Sequence, residues 1–120
     1  MRKVLIIDDD LDLQRIYSEK LGGAGFETKV ATNSDQGFQL IKDSIPNIIL
    51  LDVMIPGKMN GLEFLSHLKS TEETKSIPVI VLTNLDNQKD DAMKGGASDY
   101  FIKANLSLNE LVDKVKALAK

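Results

Sequence analysis

A chain of 120 residues with a formal charge of −3 has room for one core and carries no basic footprint for nucleic acid. Zero cysteines exclude disulfides and thiolate metal sites and fit a reducing compartment. No apolar run approaches the roughly 20 residues that span a bilayer, and Val4 to Ile7 is too short for a secretory signal. The expectation is one cytoplasmic domain over residues 1–120 with no membrane contact.

Val4-Leu5-Ile6-Ile7 is apolar throughout, as in a strand buried on both faces, and it ends in Asp8-Asp9-Asp10. Leu13, Ile16, Tyr17 and Leu21 follow at helical spacing, with Gly22-Gly23 as the stop. Asp10 suits the N-cap or first turn of that helix, where the dipole favours an acid. Polar residues interrupt the second strand, Glu27-Thr28-Lys29-Val30-Ala31, which gives it the composition of an edge. Asn33 and Gln36 stand at capping-box spacing before a second helix, whose inner face carries Phe38 and Ile41. Pro46 ends it.

The third strand, Ile48-Ile49-Leu50-Leu51, runs straight into Asp52, and a loop with Pro56, Gly57 and Gly61 follows. Taken alone, that stretch leaves Asp52 as either a loop cap or a functional carboxylate. Asn60 and Glu63 form a capping box for a third helix with Phe64, Leu65 and Leu68 facing inward. His67 lies on this helix with no second histidine to share a metal, and reads as a surface residue. Thr71 to Ser76 is a polar turn, and Pro78 opens strand four, Val79 to Leu82, which ends at Thr83. Asp86 to Gly95 is the weakest helical stretch. Ala92 and Met93 are nearly its only apolar residues, so it should be mobile. Strand five, Asp99 to Ile102, ends at Lys103. Ser107 and Glu110 then cap a last helix striped by Leu108, Leu111, Val112, Val115, Leu118 and Ala119.

Strict alternation of strand and helix implies an α/β fold, a flavodoxin-like (βα)5 doubly wound parallel sheet. The three apolar strands belong at its centre and the two mixed ones at its edges, in order 2-1-3-4-5. Ligands of such sheets bind at the carboxyl ends of the strands, and there stand Asp8, Asp9, Asp52, Thr83 and Lys103. Three converging carboxylates repel one another, which raises their pKa values or demands a cation. Oxygen ligands suit a hard ion such as Mg²⁺. A divalent ion, a lysine and a hydroxyl together match the needs of a transferring phosphoryl group, and one carboxylate can act as the nucleophile.

The residues LIIDDD, LLDVMIPG, VLTN and DYFIK resemble the receiver domain of two-component response regulators, over essentially the whole chain. The resemblance implies that Asp52 is the phosphoacceptor, served by a histidine kinase or a histidine phosphotransfer domain. It implies Asp9 as a direct ligand of Mg²⁺, or of another divalent ion such as Mn²⁺, with Asp8 acting largely through water. The Met54 backbone carbonyl would complete the protein ligands. Lys103 would pair with the acceptor and then the phosphoryl oxygens, while Thr83 would hydrogen-bond the phosphoryl group. Tyr100 resembles the aromatic switch that turns inward when Thr83 moves, and it can also simply pack between helices four and five. Helix four, strand five and helix five would then signal to an output domain or target protein. Such a domain assists its own phosphotransfer and is not a turnover enzyme.

Three departures stand out. Ala104 follows Lys103 where the family usually has proline, often after a cis bond. A non-proline cis bond costs about 2.5–4 kcal/mol, so a trans peptide and a rearranged loop are expected. The loop from Pro56 to Gly61 is longer by one residue than the common form, with Asn60 where aspartate is frequent. Asn84 stands where a small residue is usual, on the rim of the site. Met54 and Leu85 also flank the site, and neither is polar enough to orient an attacking water, so slow self-dephosphorylation is expected. A receiver that acts as an interaction module without phosphorylation is the main competing reading. A flavin binder would need a phosphate loop where Asp8-Asp9-Asp10 stands, and an aspartate-nucleophile phosphatase would need a second acid at Met54.

Overall fold

The computed structural model describes residues 2–120. Its strands are β1 (Lys3–Ile7), β2 (Glu27–Ala31), β3 (Ile48–Leu51), β4 (Val79–Thr83) and β5 (Asp99–Ile102). They form one parallel sheet in the order β2-β1-β3-β4-β5, the flavodoxin-like arrangement expected. The helices are α1 (Leu11–Gly23), α2 (Ser34–Asp43), α3 (Gly61–Ser70), α4 (Lys89–Lys94) and α5 (Leu108–Leu118). A single 3-10 turn, Lys103–Asn105, joins β5 to α5.

Alternating side chains explain the unbroken apolar strands. Leu5, Ile7, Ile49, Leu51, Val79 and Val81 face a core shared with Ile41 of α2, Phe64, Leu65 and Leu68 of α3 and Ala92 of α4. Val4, Ile6, Ile48, Leu50, Ile80 and Leu82 face the other core, with Tyr17 and Leu21 of α1 and Leu111, Val112 and Val115 of α5. Both faces of β1, β3 and β4 are therefore dry, and β-branched and leucine side chains fill both. At β2 only Ala31 is buried, as suits an edge. No helix among the described residues is long and apolar enough to cross a membrane.

Local signals mostly agree. The capping boxes Asn60/Glu63 and Ser107/Glu110 are both closed. His67 is exposed, with its ring edge-on to Phe38 at 4.8 Å. Four details differ. Ile16 is 37% exposed, because the buried face of α1 runs through Gln14, Tyr17 and Leu21. Asn33 caps α2, but the Gln36 side chain accepts from Thr32 instead of Asn33, so the reciprocal box does not form. The fourth helix is shorter than Asp86 to Gly95; Gln88 precedes it without a side-chain cap, and Met93 is exposed. On α5, Leu108 is exposed in the first turn and Ala119 lies past the end.

Candidate functional site

Register places the acids. Ile7 is level with Leu51, so Asp8 and Asp52 are the next residues along two neighbouring parallel strands and leave the sheet side by side. Their backbones stay tethered: Asp52 N donates to the Ile7 carbonyl at 2.9 Å, and Asp8 N to the Ala31 carbonyl at 3.0 Å. Across the sheet, Thr83 is level with Ile102, and Lys103 follows at the start of the 3-10 turn. Its side chain reaches back to the acids. Lys103 Nζ lies 2.5 Å from Asp8 Oδ2 and 2.8 Å from Asp52 Oδ2, and the three side chains are only 8%, 4% and 10% exposed.

The remaining carboxylate oxygens are also engaged. Asp8 Oδ1 accepts from Asp10 N at 2.9 Å, and Asp52 Oδ1 accepts from Met54 N at 3.2 Å. Asp9 projects to the exposed side, with one oxygen each of Asp8, Asp9 and Asp52 lying within 4.8 Å of one another. Three carboxylates against one ammonium leave the cluster two charges negative. An all-oxygen set with that charge deficit fits a hard divalent cation.

Burial and pairing pull the titrations in opposite senses. Burial alone would lower the pKa of Lys103, but its hydrogen bonds to Asp52 and Asp8 and their charges raise it above the ordinary lysine value. At Asp8, burial outweighs the bonds from Lys103 and Asp10, and the charge of Asp52 adds to it, so the carboxyl pKa is raised. The ammonium is thus held in its charged form, while burial makes the Asp8 carboxylate costlier to ionise than a free one.

Thr83 is buried, and its Oγ1 accepts from Leu85 N at 3.3 Å. Asn84 between them is exposed and Leu85 half-buried. Met54 is 63% exposed. Tyr100 is buried, and its hydroxyl donates to the Leu85 carbonyl, which holds the ring inward. Asp10 caps α1 by accepting from Asp12 N and Leu13 N, both at 3.1 Å. The Lys103–Ala104 peptide is trans, and Lys103–Asn105 forms a 3-10 turn.

Sequence reasoning missed three supports. A Cβ on Gly61 would lie 2.1 Å from the Asp52 carbonyl oxygen and 2.6 Å from Val53 Cα, so only glycine lets α3 start against the acceptor. Ser34, fully buried at the start of α2, accepts from Met59 N at 3.2 Å and anchors the loop from Pro56 to Gly61. Gln14 is the third. Its signal was present, since positions 14, 17 and 21 share a helical face.

A family model described as the response regulator receiver domain matches residues 4–116. The chain belongs to that family. This receiver domain is 37% identical over 122 aligned residues to the phosphate regulon transcriptional regulatory protein PhoB of Pseudomonas aeruginosa, covering 99% of the chain and 52% of that protein. It is 38% identical to the transcriptional regulatory protein CpxR of Escherichia coli, covering 100% of the chain and 50% of that protein. The chain thus spans about half the length of the curated relatives it matches. Among solved structures it superimposes on the Francisella response regulator 1452 receiver domain with a TM-score of 0.89 at 31% identity, covering 98% and 96% of the two chains. A putative response regulator from Chloroflexus aurantiacus gives 0.90 at 29% identity, with the same coverage of each chain.

Proposed function

We propose that this receiver domain takes a phosphoryl group onto Asp52 from the phosphohistidine of a histidine kinase or a histidine phosphotransfer domain. The observation that carries this reading is the Lys103 ammonium bridging Asp8 and Asp52 at 2.5 and 2.8 Å. One Asp52 oxygen attacks phosphorus, the P–N bond to imidazole breaks, and the imidazole leaves with its electron pair and takes up a proton. Asp8, Asp9, Asp52 and the Met54 carbonyl would hold Mg²⁺ or Mn²⁺, which when bound neutralises charge on the transferring oxygens. Lys103 supplies a second positive charge from a buried position, where it acts more strongly than in water.

The Thr83 hydroxyl, whose oxygen accepts from Leu85 N, would donate its own hydrogen to a new phosphoryl oxygen, and turning toward it would pull on the Leu85 contact. Because the Leu85 carbonyl also accepts from Tyr100, one peptide segment connects the acceptor side to the aromatic side chain on β5. Phosphorylation would bias α4, β5 and α5, the surface offered to an output domain or target. The domain gains one acyl phosphate per donor and assists both its formation and its loss. Borohydride reduction of the acyl phosphate followed by peptide mapping tests the assignment. Homoserine at position 52 is expected, and reduction at any other acid would overturn it.

A further inference from the structure

The polar side chain that α1 turns into the protein has no role in the chemistry above. Gln14 is 6% exposed, while Leu11 and Ile16 of the same helix are 67% and 37% exposed. Burying a carboxamide is unfavourable unless its groups are hydrogen-bonded. Gln14 Nε2 donates twice, to the Asp8 carbonyl and to the Ala31 carbonyl, the latter at 3.0 Å. Two carbonyl acceptors leave no ambiguity about which end of the amide faces them.

Those two carbonyls lie where the sheet ladder gives out. Ala31 ends β2, and its carbonyl also accepts from Asp8 N. The Asp8 carbonyl belongs to the Asp8–Asp9 peptide, one residue beyond β1. Among the described residues, Gln14 is the donor that holds it. Fixing this peptide plane fixes the directions in which the Asp8 and Asp9 side chains leave the backbone. It is the step between a strand end and two carboxylates whose oxygens lie within 4.8 Å of each other.

We infer that Gln14 is a positioning residue for the divalent-cation site, acting through the Asp8–Asp9 peptide; this rests on the reading of that site given above. Outer groups that orient ligands typically change metal affinity by about 10–100-fold when removed. Gln14→Met keeps length, volume and helix propensity and removes both N–H donors.

Isothermal titration of Mg²⁺ into the unphosphorylated protein reads the effect without turnover. Binding should weaken by about tenfold or more in Gln14→Met. The rate of phosphorylation by an acyl phosphate should fall in Gln14→Met at low Mg²⁺ and recover at saturating Mg²⁺. A purely structural role would lower the melting temperature and leave the Mg²⁺ affinity of the folded protein unchanged. A folded Gln14→Met that binds Mg²⁺ as the parent does would overturn the inference alone. A parent that binds no Mg²⁺ would overturn both the inference and the site reading. Should Gln14→Met not fold, Gln14→Asn, whose amide is drawn back by one methylene, carries the same comparison.

Discussion

The two halves of the site are built to different tolerances. On the β1–β3 side, both carboxylates have buried, hydrogen-bonded oxygens, and Gln14, Ser34 and Gly61 hold the surrounding backbone. On the β4–α4 side, Thr83 has one hydrogen bond of 3.3 Å, and the helix beyond it has six residues, no side-chain cap and Ala92 as its buried residue. The face beyond is tied by Lys114 to Asp99 at 4.0 Å, an exposed pair of the kind that contributes about 0–1 kcal/mol. The contrast separates two jobs. Phosphoryl transfer needs fixed charges at fixed distances, whereas a switch needs a segment whose two arrangements differ little in free energy.

Breaking the fixed half should have the largest effect. Lys103→Met leaves Asp8 and Asp52 buried with no counterion and should destabilise the domain by about 3 kcal/mol at neutral pH, measured by urea unfolding. Added Mg²⁺ should restore part of that loss. Acidification should also narrow the gap to the parent, because the buried acids, once without the ammonium that favours their charged form, take up a proton more readily in the variant than in the parent. Gly61→Ala belongs in the same class, since its Cβ would meet the acceptor backbone; a loss of about 3 kcal/mol is expected.

The pH profile of the parent sharpens the same half. Lys103 holds its proton more tightly folded than unfolded, so its contribution is complete below the ordinary value of 10.5. It should be lost as pH rises from there through the folded value. Lys103→Met should lack this component in denaturant titrations between neutral and alkaline pH.

The labile half predicts smaller effects. Tyr100→Phe removes the hydroxyl bond to the Leu85 carbonyl and should cost about 1 kcal/mol, with faster amide exchange from Leu85 to Lys94 and little change at Ile48–Leu51. Equal acceleration in both segments would erase the distinction between the halves. Smallest of all, Asn84→Ala on the exposed rim should shift phosphorylation or dephosphorylation rates by about threefold without altering stability. Unchanged rates would deny Asn84 a gating role.

Strands β1, β3 and β4 were readable because burial on both faces leaves an unbroken apolar run, and β2 because an edge tolerates Glu27 and Lys29. Strand order then brought Asp8, Asp9, Asp52, Thr83 and Lys103 to one edge. Hydrophobic spacing put Ile16 inside and overlooked Gln14, because a carboxamide is drawn inward by carbonyls from β2 and the β1 end, contacts distant along the chain. The same holds for Ser34, whose partner Met59 lies 25 residues on. The sparse apolar residues of Asp86 to Gly95 match a short α4, but no local signal marks where so short a helix begins. Lys103 was expected to meet the acceptor; that it also bridges Asp8 depends on side-chain reach that residue order does not contain.

The most direct measurement is the intact mass of the protein incubated with Mg²⁺ and a small acyl-phosphate donor, followed over time beside Asp52→Asn. The expected result is a labile gain of one phosphoryl group in the parent, persisting for minutes or longer because Met54 and Leu85 orient no water, and no gain in Asp52→Asn. A parent that gains nothing, or a gain that survives Asp52→Asn, would contradict the assignment of Asp52. A gain lost within seconds would contradict the slow hydrolysis expected at this rim.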